Sequence, residues 1–173
     1  MKTAITFEPI GIIRTPFRKT AGMPIQPHGA EGIEGVAEIY DDFSAGLADL
    51  GGFSHIVLLY HFHQVKGYKL YVVPFMDNKP HGIFATRSPV RPNAIGMSIV
   101  KINKSEGRLI YFDGADMLNG TPLLDIKPYY KMYDHPQDVR GGWLEAREDI
   151  DIKKIKSDAR FDQKKCPELI RCK

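Results

Sequence analysis

Short segments rich in β-branched and aromatic residues, each ended by glycine or proline, constrain the fold of this chain more than any other feature. Residues 8–17, 35–40, 53–65 and 68–75 all have this character. Such residues favour extended strands, and glycine and proline mark the turns between them. Because at least six such strands are predicted without long helices between them, the sequence indicates an all-β fold, either an antiparallel barrel or a sandwich.

The individual segments predict more specific elements. Residues 53–65 (FSHIVLLYHFHQV) are the most apolar stretch, which predicts a central strand covered on both faces. Residues 98–103 and 108–112 predict a hairpin, with Gly107 in its tight turn. Ser44 is predicted to cap a single helical turn that ends at the glycines after Leu50.

The composition changes near the C-terminus. After Trp143, the last strong apolar anchor, lysines and aspartates alternate. We therefore predict a barrel domain over residues 1–140 and a C-terminal appendage over residues 141–173. The mixed charges favour a solvated face over an RNA-contacting patch. The two cysteines, Cys166 and Cys172, can close only a short loop, and we expect free thiols.

Length and charge bound the class of protein. With 173 residues and 43% hydrophobic content, the chain can bury a core without a metal or a disulfide. It has no apolar run of the roughly 18 residues that span a bilayer and no signal-peptide stretch, so we predict a cytoplasmic protein. A net charge of +3 neither requires nor excludes a nucleic-acid partner.

Residues 82–98 (GIFATRSPVRPNAIGMS) contain more arginine and proline than a strand needs. Arg87 and Arg91 lie four residues apart in a segment that Pro89 and Pro92 keep from forming a regular helix. Two rigidly presented guanidiniums suit the carboxylate of an amino-acid-like cofactor, or a phosphate. The alternative is structural: the two arginines could form internal ion pairs with Asp116 and Asp125.

Residues 116–129 (DMLNGTPLLDIKPY) form the second polar segment. Asp116 and Asp125 can accept hydrogen bonds from ribose hydroxyls or polarise a nucleophile, and Lys127 and Tyr129 add a cation and a phenol. Asn119 and the glycine after it predict a turn with free backbone donors. The structural alternative for that pair is an Asx turn between two strands.

A third candidate lies at the end of the predicted central strand. His61 and His63 share one face of that strand, but neither cysteine nor carboxylate completes a zinc site nearby, so we expect no metal. The sequence also lacks a glycine-rich phosphate loop and a nucleophile elbow. Nucleotide hydrolysis and serine hydrolysis are therefore disfavoured.

Together these motifs resemble the transfer-RNA threonylcarbamoyladenosine methyltransferase family. The resemblance extends from residues 82–98 and 116–129 to residues 10–17 (IGIIRTPF) and 47–64 (LADLGGFSHIVLLYHFHQ), and covers roughly residues 8–135. It implies a compact antiparallel β-barrel, to which the residue patterns above add one short helix and a C-terminal appendage. It further implies a cytoplasmic homodimer that binds S-adenosylmethionine near the subunit interface and methylates the exocyclic nitrogen of a threonylcarbamoyl-modified adenosine beside the anticodon of tRNA.

The resemblance also implies site residues. The expected cofactor contacts are Pro24, Ile25, Gln26, His63, Gln64, Arg87, Asp116, Met117, Leu118 and Asn119. Arg91, Lys127 and Tyr129 are expected to recognise the carboxylate and hydroxyl of the threonylcarbamoyl group. Asp125, Asp116 and His63 are the candidates for a general base, because the acceptor nitrogen is a poor nucleophile until it loses a proton.

Two departures from the family pattern concern the cofactor loop and the turn. Ile25 stands where related chains often have arginine, and Asn119 stands where they often have aspartate. Longer relatives carry a C-terminal domain that this appendage does not match in length. Two other functions stay open: a module that binds S-adenosylmethionine without turnover, and a non-catalytic RNA-binding barrel.

Overall fold

A computed structural model describes residues 3–161 of the chain. Its described part contains eight strands, one α-helix of four residues and six short 3₁₀ turns. Cys166 and Cys172 lie outside the described residues. The strands are β1 Gly11–Arg14, β2 Glu34–Ile39, β3 His55–His61, β4 Tyr71–Val72, β5 His81–Gly82, β6 Ile95–Glu106, β7 Leu109–Asp113 and β8 Thr121–Pro128, and the helix is α1 Lys131–Asp134.

Six of these strands close into an antiparallel barrel in the order β1-β2-β7-β6-β3-β8. The prediction of an antiparallel all-β barrel is therefore confirmed, and the sandwich alternative is wrong. β6 and β7 form the predicted hairpin, with Gly107 at a φ of 56° in its turn. β4 and β5 form a separate two-stranded sheet.

Alternating side chains fill the barrel. In β3 the even-numbered residues Ile56, Leu58 and Tyr60 are buried, and the residues between them face outward. The outward residues Val57 and Leu59 are only half-buried, so the continuous apolar run reflects an apolar outer surface and not cover on both faces. Inner residues of the other strands, and two residues of the segment between β7 and β8, complete the core: Ile13, Ala37, Ile39, Val100, Ile110, Phe112, Ala115, Met117 and Leu123.

An irregularity in β8 changes which of its residues face the core. Tyr60 pairs with Leu123, but Leu59 pairs with Asp125, so Leu124 is an extra residue in β8. Such a bulge reverses the alternation of side chains along the strand. Leu123 points inward, whereas Asp125 and Lys127 lie opposite the outward residues of β3.

The loops differ more from prediction than the barrel does. Of the strand predicted over residues 68–75, only β4 forms. The predicted helical turn is a 3₁₀ segment, Asp41–Leu47, and Ser44 does not cap it: its hydroxyl donates to the carbonyl of Asp41 within the turn. The α-helix, α1, follows β8 instead.

Part of the appendage is described, and it packs on the loops. Ser157 exchanges backbone hydrogen bonds with Gly22 and Met23, both 2.8 Å long. Trp143 stacks on His81 with 4.4 Å between ring centroids. The division at residue 140 stays a prediction, since these contacts join residues on both sides of it. Within residues 3–161 no helix is long and apolar enough to cross a membrane.

Candidate functional site

The loops at one end of the barrel surround a large cleft. Because neighbouring strands are antiparallel, the ends of β1, β3 and β7 and the starts of β2, β6 and β8 all lie at this end. The cleft has a volume of about 1380 Å³, and apolar side chains supply most of its surface. Its walls come from residues 18–20, 23–26, 60, 62–66, 74–76, 84–89, 91, 95–97, 116–118 and 121, and from the appendage.

Most of the predicted cofactor residues line this cleft, although four separate segments carry them. Those in its walls are Pro24, Ile25, Gln26, His63, Gln64, Arg87, Asp116, Met117 and Leu118. Asn119 is the exception. Its side-chain oxygen accepts from the backbone N–H of Thr15 at 3.2 Å, and its own N–H donates to the carbonyl of Phe17 at 2.8 Å. Asn119 thus ties the start of β8 to the end of β1.

Arg87 reaches across the cleft mouth to the cofactor loop. Its Nη1 donates to Oε1 of Gln26 at 2.9 Å, and the Gln26 amide in turn donates to the carbonyl of Ile25. Among residues 3–161, no ion pair joins Arg87 or Arg91 to an acid. The structural alternative of internal ion pairs with Asp116 and Asp125 is therefore wrong for this part of the chain.

Asp116 is a half-buried carboxyl in the wall of the cleft. Ser98 donates to it at 2.7 Å, and the Tyr60 hydroxyl lies 3.0 Å from the Ser98 oxygen. Because the single hydroxyl hydrogen of Ser98 is used on Asp116, Tyr60 donates to Ser98. Burial raises the pKa of Asp116 from its ordinary value of 3.8 to about 7, although the Ser98 hydrogen bond and the charge of Arg87 oppose this rise.

Burial also raises the pKa of the Tyr60 phenol, and the negative charge of Asp116 adds to that rise. The phenol therefore stays protonated at neutral pH and remains a donor. Gly96 makes room for it, because a Cβ at position 96 would overlap the Tyr60 ring. The chain from Tyr60 through Ser98 to Asp116 is thus held by β3, β6 and the segment that precedes β8.

His63 lies in the cleft wall as a neutral imidazole. Burial, and then the neighbouring His61, lower its pKa below the ordinary value of 6.5. The Thr121 hydroxyl lies 3.5 Å from Nδ1 of His63 and donates to the carbonyl of Leu118 at 2.7 Å. Nδ1 can therefore donate only weakly to Thr121, and the histidine contributes no positive charge to the cleft.

Three predicted residues lie elsewhere. Asp125 and Lys127 form an ion pair of 2.6 Å on the outside of the barrel, as a result of the β8 bulge. Tyr129 packs edge-on against His55, at the other end of β3. Only Arg91 of the predicted substrate residues lines the cleft. Within a single chain, the structure does not bring Lys127 or Tyr129 to Arg91, or Asp125 to the cleft, and the roles assigned to these residues stay predictions.

Several residues that line the cleft or support its side chains were absent from the prediction. Tyr60 and Ser98 were assigned only to strands, and their sequence context does not distinguish them from core residues. Phe84 and Ser88 lie within the predicted arginine segment, so a search around Arg87 could have included them. The cleft also includes appendage residues, among them Trp143 and Arg147. In the sequence these appear only as an isolated aromatic residue followed by charged residues, a pattern that does not indicate a site.

The lining suits a cofactor with an amino-acid end and an apolar middle. Arg87 offers a guanidinium that is not engaged by an acid among the described residues, and Met23 and Met117 give apolar walls. The Ser88 hydroxyl is buried and has no hydrogen-bond partner in the described part of the chain. An unpaired buried hydroxyl is costly, which favours a polar ligand group or water beside it. The residues present therefore fit S-adenosylmethionine.

Metal binding has no support in residues 3–161, where no group of three or more histidine, cysteine, aspartate or glutamate side chains is placed to hold an ion. His61 and His63 do not recruit a third ligand there. The expectation of a metal-free site nevertheless stays a prediction for the whole chain.

Comparison with known proteins gives one family. The model of the tRNA-methyltransferase O N-terminal domain matches residues 12–135. A protein of Pyrococcus abyssi named "Probable S-adenosyl-L-methionine-binding protein" is 46% identical over 157 residues, which are 91% of this chain and 85% of that one. A tRNA (adenine(37)-N6)-methyltransferase of Homo sapiens is 40% identical over 140 residues, 76% of this chain but 32% of the human protein.

The solved structures agree with the sequence relatives. A crystal structure of TrmO from Pseudomonas aeruginosa superposes with a TM-score of 0.69 at 36% identity, over 82% of this chain and 63% of that one. This chain thus spans most of the Pyrococcus protein, about a third of the human enzyme and less than two thirds of the Pseudomonas one. On the extent of the family match and these identities, the chain belongs to the tRNA-methyltransferase O N-terminal domain family.

Proposed function

We propose that this protein is an S-adenosylmethionine-dependent methyltransferase that modifies the exocyclic N6 of adenine 37 in tRNA, once that adenine bears a threonylcarbamoyl group. One observation carries the proposal: a carboxyl with a pKa of about 7, Asp116, shares a cleft with Arg87, which is free of acidic partners within residues 3–161. The names of the relatives, which specify S-adenosylmethionine binding and adenine-37 methylation, support the same cofactor and acceptor.

Some residues of the cleft bind the cofactor, and others transfer a proton. When bound, S-adenosylmethionine supplies the methyl group from its sulfonium. Arg87, supported by Gln26, holds the carboxylate of its amino-acid end through charge-assisted hydrogen bonds. Met23 and Met117 exclude water from the middle of the cleft. Alignment of the reacting atoms then contributes most of the rate, as expected for a direct displacement.

Asp116 is the proposed general base. A base works best when its pKa is near the working pH, and burial raises the pKa of this carboxyl to about 7. The Ser98 hydroxyl, oriented by Tyr60, donates to one carboxyl oxygen and leaves the other for the N6 proton. The lowered pKa of His63 is compatible with a substrate contact at the same end of the cleft.

The size of the cleft supports a reaction between two bound molecules. A volume of about 1380 Å³ exceeds the roughly 300–1,000 Å³ of typical small-molecule sites, so a cofactor and an extruded nucleoside can occupy it together. Arg91 lines the same cleft and is the proposed contact for the threonylcarbamoyl carboxylate.

A homodimer is part of the proposal. The outward residues Ile95, Met97 and Ile99 of β6 are 37%, 42% and 38% exposed, beside the half-buried Val57 and Leu59 of β3. Apolar side chains in one contiguous patch favour a protein interface. Ile95 and Met97 also line the cleft, so a partner on this face would complete the site. Light scattering should find two chains for the wild type and one for Ile99→Asp, and a wild-type monomer with full activity would contradict the dimer.

The decisive experiment is methyl transfer to anticodon stem-loops. Radiolabelled S-adenosylmethionine should label RNA that carries the threonylcarbamoyl group and not the same RNA from cells unable to make it. A site with polar partners for that group leaves them unpaired on plain adenosine, which can reduce the rate by about 10⁴-fold or more. Equal labelling of both RNAs would remove the threonylcarbamoyl requirement.

The same experiment distinguishes the two alternative functions. Cofactor binding without labelling of either RNA would favour the non-catalytic cofactor-binding module, and RNA binding without cofactor binding would favour the RNA-binding barrel. The predicted cytoplasmic location awaits a direct test by fractionation.

A further inference from the structure

Phe84 is the most exposed aromatic side chain in the wall of the cleft. It is 75% exposed, whereas Tyr60 in the same lining is 3% exposed. Exposure of a full aromatic ring at a cleft mouth is costly unless a ligand covers it. Its hydrocarbon ring offers no hydrogen bond, so a partner would have to recognise it through its faces.

The backbone on both sides of Phe84 is fixed by hydrogen bonds. The Ile83 N–H donates to the Leu70 carbonyl at 2.8 Å, and the Ile83 carbonyl accepts from the Thr86 hydroxyl at 2.9 Å. Nη1 of Arg91 donates to the Thr86 carbonyl at 2.7 Å. Ile83 itself is 1% exposed and anchors the turn. The turn cannot move inward to cover the ring without losing these bonds, so a fixed backbone presents the exposed Phe84 ring.

One cationic side chain lies beside this ring, and others line the same cleft. The Arg91 guanidinium carbon lies 5.9 Å from the Phe84 ring centroid. Arg18 and Lys66 also line the cleft. An aromatic ring beside cations is the combination with which proteins bind unpaired nucleotides, because every base has a π-face and every nucleotide a phosphate.

We propose that Phe84 is a stacking platform for an unpaired base of the RNA substrate at the mouth of the cleft, with Arg91 alongside. This inference rests on the proposed function, since it assumes that the substrate is RNA. It assigns Phe84 to RNA affinity and not to the cofactor. Stacking requires only a π-face, so the contact holds the base without reading its identity.

The test separates RNA affinity from cofactor affinity. A threonylcarbamoyl-bearing anticodon stem-loop is titrated into the 173-residue chain with S-adenosylhomocysteine present, so that no reaction occurs. Phe84→Ala should raise the Kd for RNA by about 5- to 150-fold, as expected for loss of one stacked base, while Phe84→Trp restores it. The Kd for S-adenosylhomocysteine should not change. Phe7→Ala removes a ring that is 60% exposed and outside the cleft, and it should leave both constants unchanged.

Three outcomes would overturn the assignment: an unchanged RNA Kd in Phe84→Ala, an equal loss in Phe7→Ala, or a weakened cofactor Kd. 2-Aminopurine is placed at the nucleotide before or after position 37, so that adenosine 37 keeps its threonylcarbamoyl group. Its fluorescence shows which base is covered, since it is quenched by stacking on the wild type and recovers in Phe84→Ala. Absence of quenching at both positions would also contradict the platform. If the wild type binds this RNA but does not methylate it, the proposed function is rejected. The RNA Kd values of the wild type and Phe84→Ala can still be compared in that case.

Discussion

Two acidic residues near the cleft lie in contrasting environments. Asp116 has one hydroxyl donor and no ion pair within residues 3–161, and burial raises its pKa to about 7. Asp77 accepts from Nε2 of His81 at 2.9 Å and from Nη2 of Arg147 at 2.7 Å, and these hydrogen bonds hold its pKa well below the usual range. The first carboxyl can exchange a proton at neutral pH, and the second cannot. The hydrogen bonds from His81 and Arg147 thus mark Asp77 as a carboxyl that serves structure.

The largest expected effect of a substitution is at Asp116. Asp116→Asn should lower kcat by about 10²- to 10⁴-fold, the usual contribution of a general base. In the wild type kcat should rise with pH through about 7, as the carboxyl loses its proton. Rates measured across about pH 5–9 test both expectations. Asp125→Asn should keep kcat within about twofold, because Asp125 is paired with Lys127 outside the cleft. The reverse order of the two variants would transfer the role of base to Asp125.

The same substitution should stabilise the protein at high pH. The folded pKa of Asp116 is above its ordinary value of 3.8, so the folded chain holds the proton more tightly than the unfolded chain. The free energy of unfolding therefore falls as pH rises from about 4 to about 7. Asp116→Asn avoids this loss, and its Tm should exceed that of the wild type by several degrees at about pH 8 and match it at about pH 4. Equal Tm values at the higher pH would mean that the carboxyl is well solvated.

A smaller effect, on cofactor affinity, is expected at Arg87. Arg87→Ala should raise the Kd for S-adenosylmethionine by about 10- to 150-fold, equivalent to the about 1.5–3 kcal/mol of a charge-assisted contact. Arg140→Ala, an exposed arginine outside the cleft lining, is the matched control and should leave the Kd unchanged. Calorimetry on the folded variants gives both constants. If Arg87→Ala binds the cofactor as well as the control does, the guanidinium serves RNA or the Gln26 loop.

The smallest effect on catalysis should come from Asp77. Asp77→Asn weakens the contacts with His81 and Arg147 and should lower the Tm by a few degrees at neutral pH, with kcat largely unchanged. Because the folded pKa of Asp77 is depressed, its stabilisation is present above the ordinary value of 3.8 and is lost as pH falls through the folded pKa. The Tm difference from the wild type should therefore shrink in acid. A large fall in kcat at neutral pH would contradict a structural role.

The sequence predicts the barrel and most of the cleft for local reasons. Glycine and proline bound the strands, and the apolar run of residues 53–65 locates β3, although only one face of that strand is buried. Residues such as Arg87 and Asp116 stand out because strands do not need them. Each belongs to a loop at the same end of the barrel, so closure of the sheet brings them together.

The predictions that were wrong or missing depend on contacts between residues distant in the sequence. The Leu124 bulge reverses the side to which Asp125 and Lys127 point, and the residue pattern of β8 does not predict that bulge. In the sequence Tyr60 cannot be distinguished from a core aromatic residue. Its role depends on Gly96, which leaves room for the Tyr60 ring beside Ser98. Contacts between the appendage and the loops join residues far apart in the sequence, such as Asp77 and Arg147, which are 70 positions apart, and local periodicity cannot connect them.

The stack of Trp143 on His81 also gives the protein an optical reporter. The chain has a single tryptophan, and it lies in the cleft wall with its indole N–H donating to the Ala85 carbonyl at 2.8 Å. All indole emission therefore comes from one place, between the appendage and the turn that carries Phe84. Ligand entry, or release of the appendage, changes the surroundings of that indole directly. Intrinsic fluorescence can thus follow cleft occupancy in the unlabelled, unmodified protein.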